Sequence, residues 1–420
     1  MSSSFYRVST ANMYDSTLRN LGARQKTLVD LQENLTSGKR VVRPSDDPVA
    51  AAQAERALTR ISRIQTEQRA LEVQRNAIAQ AESTLGDAIG LVQEIRELVV
   101  GAGGGALKPE DRKTYANQIQ SLQEQLTQVI NRKDTNGVPL LGALGSALEP
   151  FTGPLLSNPD YLFSGLPGQA ATGGTGIPTA LDGHAALMFD PVRDGIYTAT
   201  VARGAGSTLV TGAITTSNRE TLDGAQYALA VNNVTVDPVA GTTSIDYTLT
   251  RTARDGTVTT STATTTPVKT GQAIPIAINE GGDKVMSFSL TGTPAAGDSI
   301  SLQPSSSLMG TIDSAIRGIT EAPDSVAAAQ AVGQALANLD AGMERLHNIR
   351  GYAGELLNRA DRISGDQEKR SIQLEGDRSR AEDLDMIQGI SDFQNANVGY
   401  EAALKSYAQV QRLSLFNFIS

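Results

Sequence analysis

The sequence predicts a mainly α-helical protein: a long antiparallel coiled-coil helical rod formed by its N- and C-terminal parts, carrying an inserted β-rich domain. Three patterns point there. Apolar residues recur every seven positions through residues 50 to 99, the middle of the chain is rich in Gly, Thr and Ser with short alternating runs, and both ends are amphipathic.

At the N-terminal end, Ala11, Tyr14, Leu18, Leu21, Gln25, Leu28, Gln32 and Leu35 alternate between spacings of three and four, which lines them up on one helical stripe. Ser37 and Gly38 stop that helix, because glycine tolerates the left-handed conformation that ends helices. Residues 39 to 44 are expected to be extended, since Val41 and Val42 are β-branched and Arg43 precedes Pro44. Asp47 then makes a good N-cap, Pro48 fits the first helical position, and Asp46 adds charge suited to the positive helix end. The stretch holding Gly38, Arg40, Pro44, Ser45, Asp46, Asp47 and Pro48 therefore breaks one helix and starts another.

Beyond the break, Ala50, Ala57, Ile64, Leu71, Ile78, Leu85, Val92 and Val99 stand seven apart without a slip. A repeat that strict predicts one helix with a coiled-coil seam, roughly 80 Å long over residues 48 to 100. A shorter helix follows Pro109, with Tyr115, Ile119, Leu122, Leu126 and Val129 on its stripe. From 166 to 304 the pattern changes to alternating runs such as Tyr197 to Val201 and Ile245 to Arg251, with Asp255-Gly256 as a hairpin signal between two runs. Helical spacing returns with Val332, Leu336, Leu339, Met343, Leu346, Ala353 and Leu357. The last forty residues mirror the first: Phe393, Ala396, Tyr400, Ala403, Tyr407 and Val410 form a stripe, Ile390 and Leu404 lie beside it, and Leu415 and Phe416 belong to the apolar ending. The resulting organisation is terminal helices at 1–36 and 384–420, a helical rod domain at 37–165 and 305–383, and a β-rich surface insert at 166–304. Two amphipathic ends with no third element to cover them mark partner surfaces, and both are expected to pair and bury their stripes in an assembly.

Charge and composition exclude several functions. A net charge of -9 without a basic stripe argues against nucleic acid as a partner. No run of 18 apolar residues spans a membrane, no apolar leader follows Met1, and the absence of cysteine removes thiolate chemistry and disulfides. The glycine-rich stretch Gly101 to Lys108 follows a helix and lacks the Gly-Lys-Ser/Thr of a phosphate loop, so it is a turn between helices. His184 and His347 are the only histidines and form no zinc motif. Glu382, Asp383 and Asp385 are expected to be solvated charge at the start of the last helix rather than a metal site. No nucleophile, base and orienting group can be assembled, so no enzyme and no cofactor is expected.

The stretch from Gly38 to Gln53 closely resembles the N-terminal signature of the hook-filament junction branch of the flagellin superfamily, the hook-associated protein 3 family. Arg350, Gly354, Asn358 and Arg359 recur at the spacing of a motif in the family's C-terminal helix. Ser379 to Asp385, the ending from Tyr407 to Ile419, and Tyr161 to Gly165 also resemble the junction branch, whereas Asn136 to Leu141 resembles a flagellin turn. The likeness covers about residues 7 to 165 and 306 to 420. It implies a structural, extracellular flagellar subunit exported by the type III route without a cleaved signal. It further implies self-association in a ring, with the first hook-associated protein on one side, flagellin on the other, and an export chaperone for the C-terminal segment. Family members' termini are disordered in the monomer and order on assembly, so these ends are expected to be protease-sensitive while residues 45 to 380 resist. A flagellin-type filament subunit, or a secreted protein binding a surface ligand through its β insert, are the alternatives.

Overall fold

The computed structural model describes residues 10–155 and 160–419, with side chains for 15–155, 160–219, 221–409 and 411. The chain is mainly helical with a sheet-rich part, and it divides into two compact units, residues 1–69 with 363–420 and residues 70–362.

The first unit begins with helix α1 (Thr10–Ser37), which ends at Gly38 with φ +70. Helix α2 (Pro48–Ala102) follows, and its first turns lie in this unit. Asp47 caps α2 as expected, its Oδ1 accepting the N–H groups of Val49 at 3.1 Å and Ala50 at 3.0 Å. Residues 39 to 44, expected to be extended throughout, are not: Arg43 to Asp46 close a β-turn with Pro44 in its second position, and the N–H of Asp46 reaches the Arg43 carbonyl at 2.9 Å. The cause is Asp46 itself. Its carboxylate accepts the N–H groups of Val42 and Arg43 at 3.2 and 2.8 Å, a local alternative that competes with extended backbone.

The same unit receives the far end of the chain. Of the helices numbered here in chain order, α8 (Ser325–Glu382) runs into it and α9 (Met386–Ile419) completes it. Ile61 and Ile64 on α2 pack with Leu374 on α8, and Ala50 and Ala54 with Ala381. Rising numbers on α2 meet falling numbers on α8, so the two run antiparallel here.

In the second unit the remainder of α2 meets α3 (Pro109–Ile130) and the first part of α8. Most predicted seam residues are buried: Leu71, Ile78, Leu85, Val92 and Val99 on α2, and Val332, Leu339, Leu346 and Ala353 on α8. Ion pairs flank them, Arg75 with Asp361 at 3.2 Å, Glu82 with Arg350 at 2.7 Å, and Arg96 with Asp340 at 2.7 Å, again in antiparallel order. A small hairpin, β1 (Phe151–Thr152) and β2 (Leu162–Phe163), and two short helices, α4 (Gly183–Leu187) and α5 (Pro191–Asp194), follow α3.

The sheet-rich part runs from Tyr197 to Pro304, so residues 166 to 196 of the segment read as β-rich carry no strand; they hold turns and the two short helices. One sheet has the order β3 (Tyr197–Ala202), β12 (Ser299–Pro304), β6 (Gln226–Asp237), β7 (Thr242–Thr252) and β8 (Val258–Thr264), with β9 (Val268–Lys269) also on β7. The other has β10 (Ile274–Glu280), β11 (Asp283–Thr291) and β4 (Val210–Thr211), with β5 (Thr215–Thr216) also on β11; α6 (Arg219–Leu222) precedes β6. All pairings are antiparallel, and Gly256, at φ +86, turns β7 into β8 where Asp255-Gly256 predicts a hairpin. One core holds both sheets together. Tyr227, Leu229 and Ile245 come from the larger sheet and Ile276, Val285 and Phe288 from the smaller, while alternate residues face water. Helix α7 (Leu308–Thr320) leads from β12 back to α8, with Ser307 as N-cap accepting from the Gly310 N–H at 2.9 Å.

Candidate assembly site at the joined helix breaks

Two helix breaks in the first unit, one between α1 and α2 and one between α8 and α9, are hydrogen-bonded to each other. Lys39 and Asp383 form an antiparallel β-bridge. The N–H groups of Arg40 and Val41 donate to the Glu382 carbonyl at 2.7 and 3.3 Å, and the Leu384 N–H donates to the Gly38 carbonyl at 2.9 Å. Lys39 Nζ pairs with the Glu382 carboxylate, and Arg40 Nη2 donates to the Ala381 carbonyl at 2.9 Å. Val41 closes the joint as its apolar plug. It is 6% exposed and packs with Ala50, Ala54 and Ala381, whose small side chains let the three segments approach.

Local chemistry fixes each break. Gly38 supplies the left-handed φ, Asp47 caps α2, and Asp385 caps α9 by accepting the N–H groups of Ile387 and Gln388 at 3.0 and 3.2 Å. The Ala50 N–H, followed by that of Val49 and the Arg40 charge, holds the Asp47 carboxyl below the usual carboxylate range. Arg40 reaches Asp47 at 3.4 Å, and Arg43 clasps both oxygens of Glu33 at 2.8 and 2.9 Å. Pro44 and Ser45 are exposed at the turn, and Pro48 opens α2.

The terminal stripes meet each other: α1 packs against α9, with Gly389 beside Leu35 and Gly399 beside Arg24, an antiparallel arrangement. The stripes, expected to pair and bury themselves in an assembly, already half-cover each other within the single chain. Leu21, Leu28 and Leu35 on α1 and Phe393, Tyr400 and Tyr407 on α9 are half-buried. Coverage stops there: among the described side chains of α1 and α9, Gly389 alone is buried. Leu18, Ile390 and Leu404 are exposed, as are Ile387 at 85% and Val398 at 66%. Tyr14, Val410, Leu415 and Phe416 lie on these helices, but their side chains fall outside the described residues.

The C-terminal motif residues belong to the second unit and do not join this site. Arg350 pairs with Glu82 and lies over Gly86, Arg359 Nη2 donates to the Gly173 carbonyl at 3.2 Å, Gly354 is half-buried, and Asn358 is exposed. Arg350 and Arg359 thus hold α8 to α2 and to the segment after β2. His184 stacks edge-on to Phe163 at 5.6 Å, and burial pushes its pKa down, whereas His347 is exposed. Glu382, Asp383 and Asp385 divide between an ion pair, a backbone bridge and a helix cap, which is more structure than the solvated charge expected of them. Among the described residues no cluster of three or more potential metal ligands occurs, and no helix is long and apolar enough to cross a membrane. Lys39 and Ala381 were not singled out by the sequence, and Val41 only as a β-branched residue of an extended stretch; the trace of the joint is the run of small residues at 50, 51, 52 and 54, which marks a close approach.

Comparison with known proteins agrees with the sequence resemblance. The family model for the bacterial flagellin N-terminal helical region matches residues 8–144. The flagellar hook-associated protein 3 of Salmonella typhimurium is 32% identical over 149 residues, 34% of this chain and 46% of the relative. That of Escherichia coli is 33% identical over 150 residues, 35% of this chain and 46% of the relative. The match thus spans about half the length of these relatives. A crystal structure of flagellar hook-associated protein 3 from Legionella pneumophila shares the fold, with a TM-score of 0.58 and 22% identity over 77% of this chain and 97% of its own. The resemblance to the hook-associated protein 3 branch of the flagellin superfamily is borne out.

Proposed function

We propose that this chain is a structural subunit of the bacterial flagellum, the adaptor that joins the hook-associated protein layer to the flagellin filament. The observation that carries this reading is the similarity of about a third of the chain to two flagellar hook-associated protein 3 sequences. The terminal helices supply the physical means. Paired only to half-burial and edged with exposed Ile387, Ile390, Val398 and Leu404, α1 and α9 gain most of their burial from neighbouring subunits, as a coiled coil does from its other strands.

The antiparallel run of α2 with α8 acts in this reading as a coiled-coil rod that carries load between layers, with the sheet-rich part as a surface domain. The partners are further copies in a ring, the first hook-associated protein on one side and flagellin on the other. Export through the flagellar type III route, with a chaperone on the C-terminal segment, brings the chain outside the cell. Its role is mechanical, and no catalytic step is assigned to it.

Deletion of the gene tests this. Abundant unpolymerised flagellin in the medium beside hooks that lack filaments is the expected outcome. Intact filaments would refute the adaptor role, and bare hooks without secreted flagellin would identify the chain as the filament subunit.

A further inference from the structure

The edge strand of a sheet presents a row of unpaired N–H and C=O groups, and proteins cover or interrupt such edges because an open one accepts a further strand. In the larger sheet the edge at β3 is covered where it starts: the Tyr197 carbonyl accepts from Gln334 Nε2 at 3.1 Å and from Asn338 Nδ2 at 3.3 Å. In the smaller sheet β10 carries Pro275, which has no N–H to offer, and β4 and β5 are two residues long. The edge at β8 has none of these devices. Its seven residues, Val258–Thr264, hold no proline and no charge, pair with β7 without a bulge, and are all exposed. No charged residue occurs from 256 to 268. None of the β8 side chains enters the core between the sheets, so the strand is held by its ladder to β7.

The direction of its free groups follows from the bonds at its two ends. The Ala253 N–H donates to the Thr257 carbonyl and the Thr265 N–H to the Ile245 carbonyl, both at 2.9 Å. Odd-numbered residues therefore bond to β7, while Val258, Thr260, Thr262 and Thr264 turn their N–H and C=O groups away from it. These four are placed symmetrically about Ser261. An antiparallel copy of the same strand sets Val258 against Thr264 and Thr260 against Thr262, so each outward group meets its complement and Ser261 faces itself across the two-fold axis. Directly opposed threonines are a favourable cross-strand pair.

We propose that β8 is a contact between two copies of this chain, which pair antiparallel through Val258–Thr264 and join their larger sheets into one. The symmetric order of its free hydrogen-bonding groups fits the strand to its own copy, and the absence of charge leaves nothing to repel it. The contact is isologous. Strands paired this way point in opposite directions, so the two copies are not neighbours in one ring, where all copies share a direction; the contact joins the surface domains of subunits in separate assemblies. It uses neither terminal helix, and its failure leaves the flagellar reading untouched.

The chain has no cysteine, so a single one reports the pairing. Ser261→Cys brings two sulfurs together at the two-fold axis, whereas Thr259→Cys leaves them about 13 Å apart along the strands. Under mild oxidation of the full-length chain, S261C should form a disulfide-linked dimer at least about tenfold faster than T259C. Sedimentation velocity adds two double variants, with circular dichroism to check that the fold is retained. T260K/T262K sets lysine against lysine twice and should weaken dimerisation roughly tenfold or more, whereas T260K/T262E sets lysine against glutamate and should keep it. Association through the terminal helices is common to these variants and cancels in the comparison. Equal linkage of S261C and T259C overturns the contact, as does equal association of the two double variants, or a wild-type chain that stays monomeric at every concentration.

Discussion

Replacing Val41 with alanine tests whether the two helix breaks are one cooperative joint. Val41 is 6% exposed, and the substitution removes two buried carbons, worth about 0.8 kcal/mol each, from between Ala50, Ala54 and Ala381. These neighbours are already small and fixed on helices, so the site collapses poorly and a cavity term brings the cost to about 2 kcal/mol. Local opening should then become roughly thirtyfold more frequent. Native-state hydrogen exchange reads this directly at the N–H groups that cross the joint: those of Arg40 and Val41, which donate to Glu382, and that of Leu384, which donates to Gly38. All three should lose protection together, although Leu384 lies at the other break. Val42→Ala, whose half-buried side chain lies outside the cluster, should change them far less. Unchanged protection at Leu384 while Arg40 and Val41 exchange faster would show that the breaks open independently, and would refute the joint.

Four further outcomes follow from the geometry. Leu85 is fully buried in the α2 seam and Val73, 56% exposed, is not, so Leu85→Ala should cost about 3 kcal/mol and Val73→Ala under about 0.5, read as thermal midpoints by circular dichroism. Arg345 Nη1 pairs with Asp194 at 2.9 Å, where both side chains are mostly buried and Arg193 also holds the carboxylate at 2.8 Å; Arg345→Ala removes one of its two cationic partners at a cost of about 2 kcal/mol and should loosen α5, visible as faster exchange at the Asp194 N–H. Burial lowers the His184 pKa below its ordinary 6.5, so the unfolded chain takes up the proton first. Stability present above about pH 6.5 is then lost as pH falls through the lower folded value, and His184→Asn should flatten the thermal midpoint between about pH 7.5 and 5.5. Limited proteolysis of the monomer should trim α1 and α9 before residues 45 to 380; equal resistance throughout would contradict the half-burial of the terminal pair.

Much of this architecture is legible because periodicity and capping are local. The seven-residue repeat from Ala50 to Val99 predicts a helix over 48 to 100, and α2 spans Pro48–Ala102. Asp47 and Pro48 mark its start by hydrogen-bond chemistry that needs no tertiary information, and Asp255-Gly256 marks the β7–β8 turn in the same way. What escapes the sequence is non-local or self-competing. The turn at Arg43 to Asp46 wins over extended backbone because one aspartate bonds to two N–H groups behind it. Residues 166 to 196 have the polar, glycine-rich composition of the strands that follow, and only their ties to the helices, such as Arg345 with Asp194, tell them apart. The joint between the breaks consists of backbone bonds between residues hundreds of positions apart, and backbone groups leave no mark in composition.

The contrast in burial along the chain orders its stability. In α2 from Ala50 to Val99 and in α8 from Val332 to Ala360 a core residue recurs at nearly every turn, and from Ala360 to Ala381 one recurs every seventh residue, so these helices offset more of their own ordering cost. Among the described residues of α1 and α9 only Gly389 is buried. Fixing each of those residues costs about 1 to 2 kcal/mol of backbone entropy, and half-covered leucines and tyrosines return too little to match it. The two breaks sit where these regimes meet. Gly38 ends α1 and the Asp383 bridge ends α8, while Asp47 and Asp385 cap the helices that follow the breaks, so loosening of the terminal pair need not unwind α2 or α8. A terminal pair built this way is held at the edge of order within one chain, and burial against a neighbour tips it into place, which couples the folding of the ends to assembly.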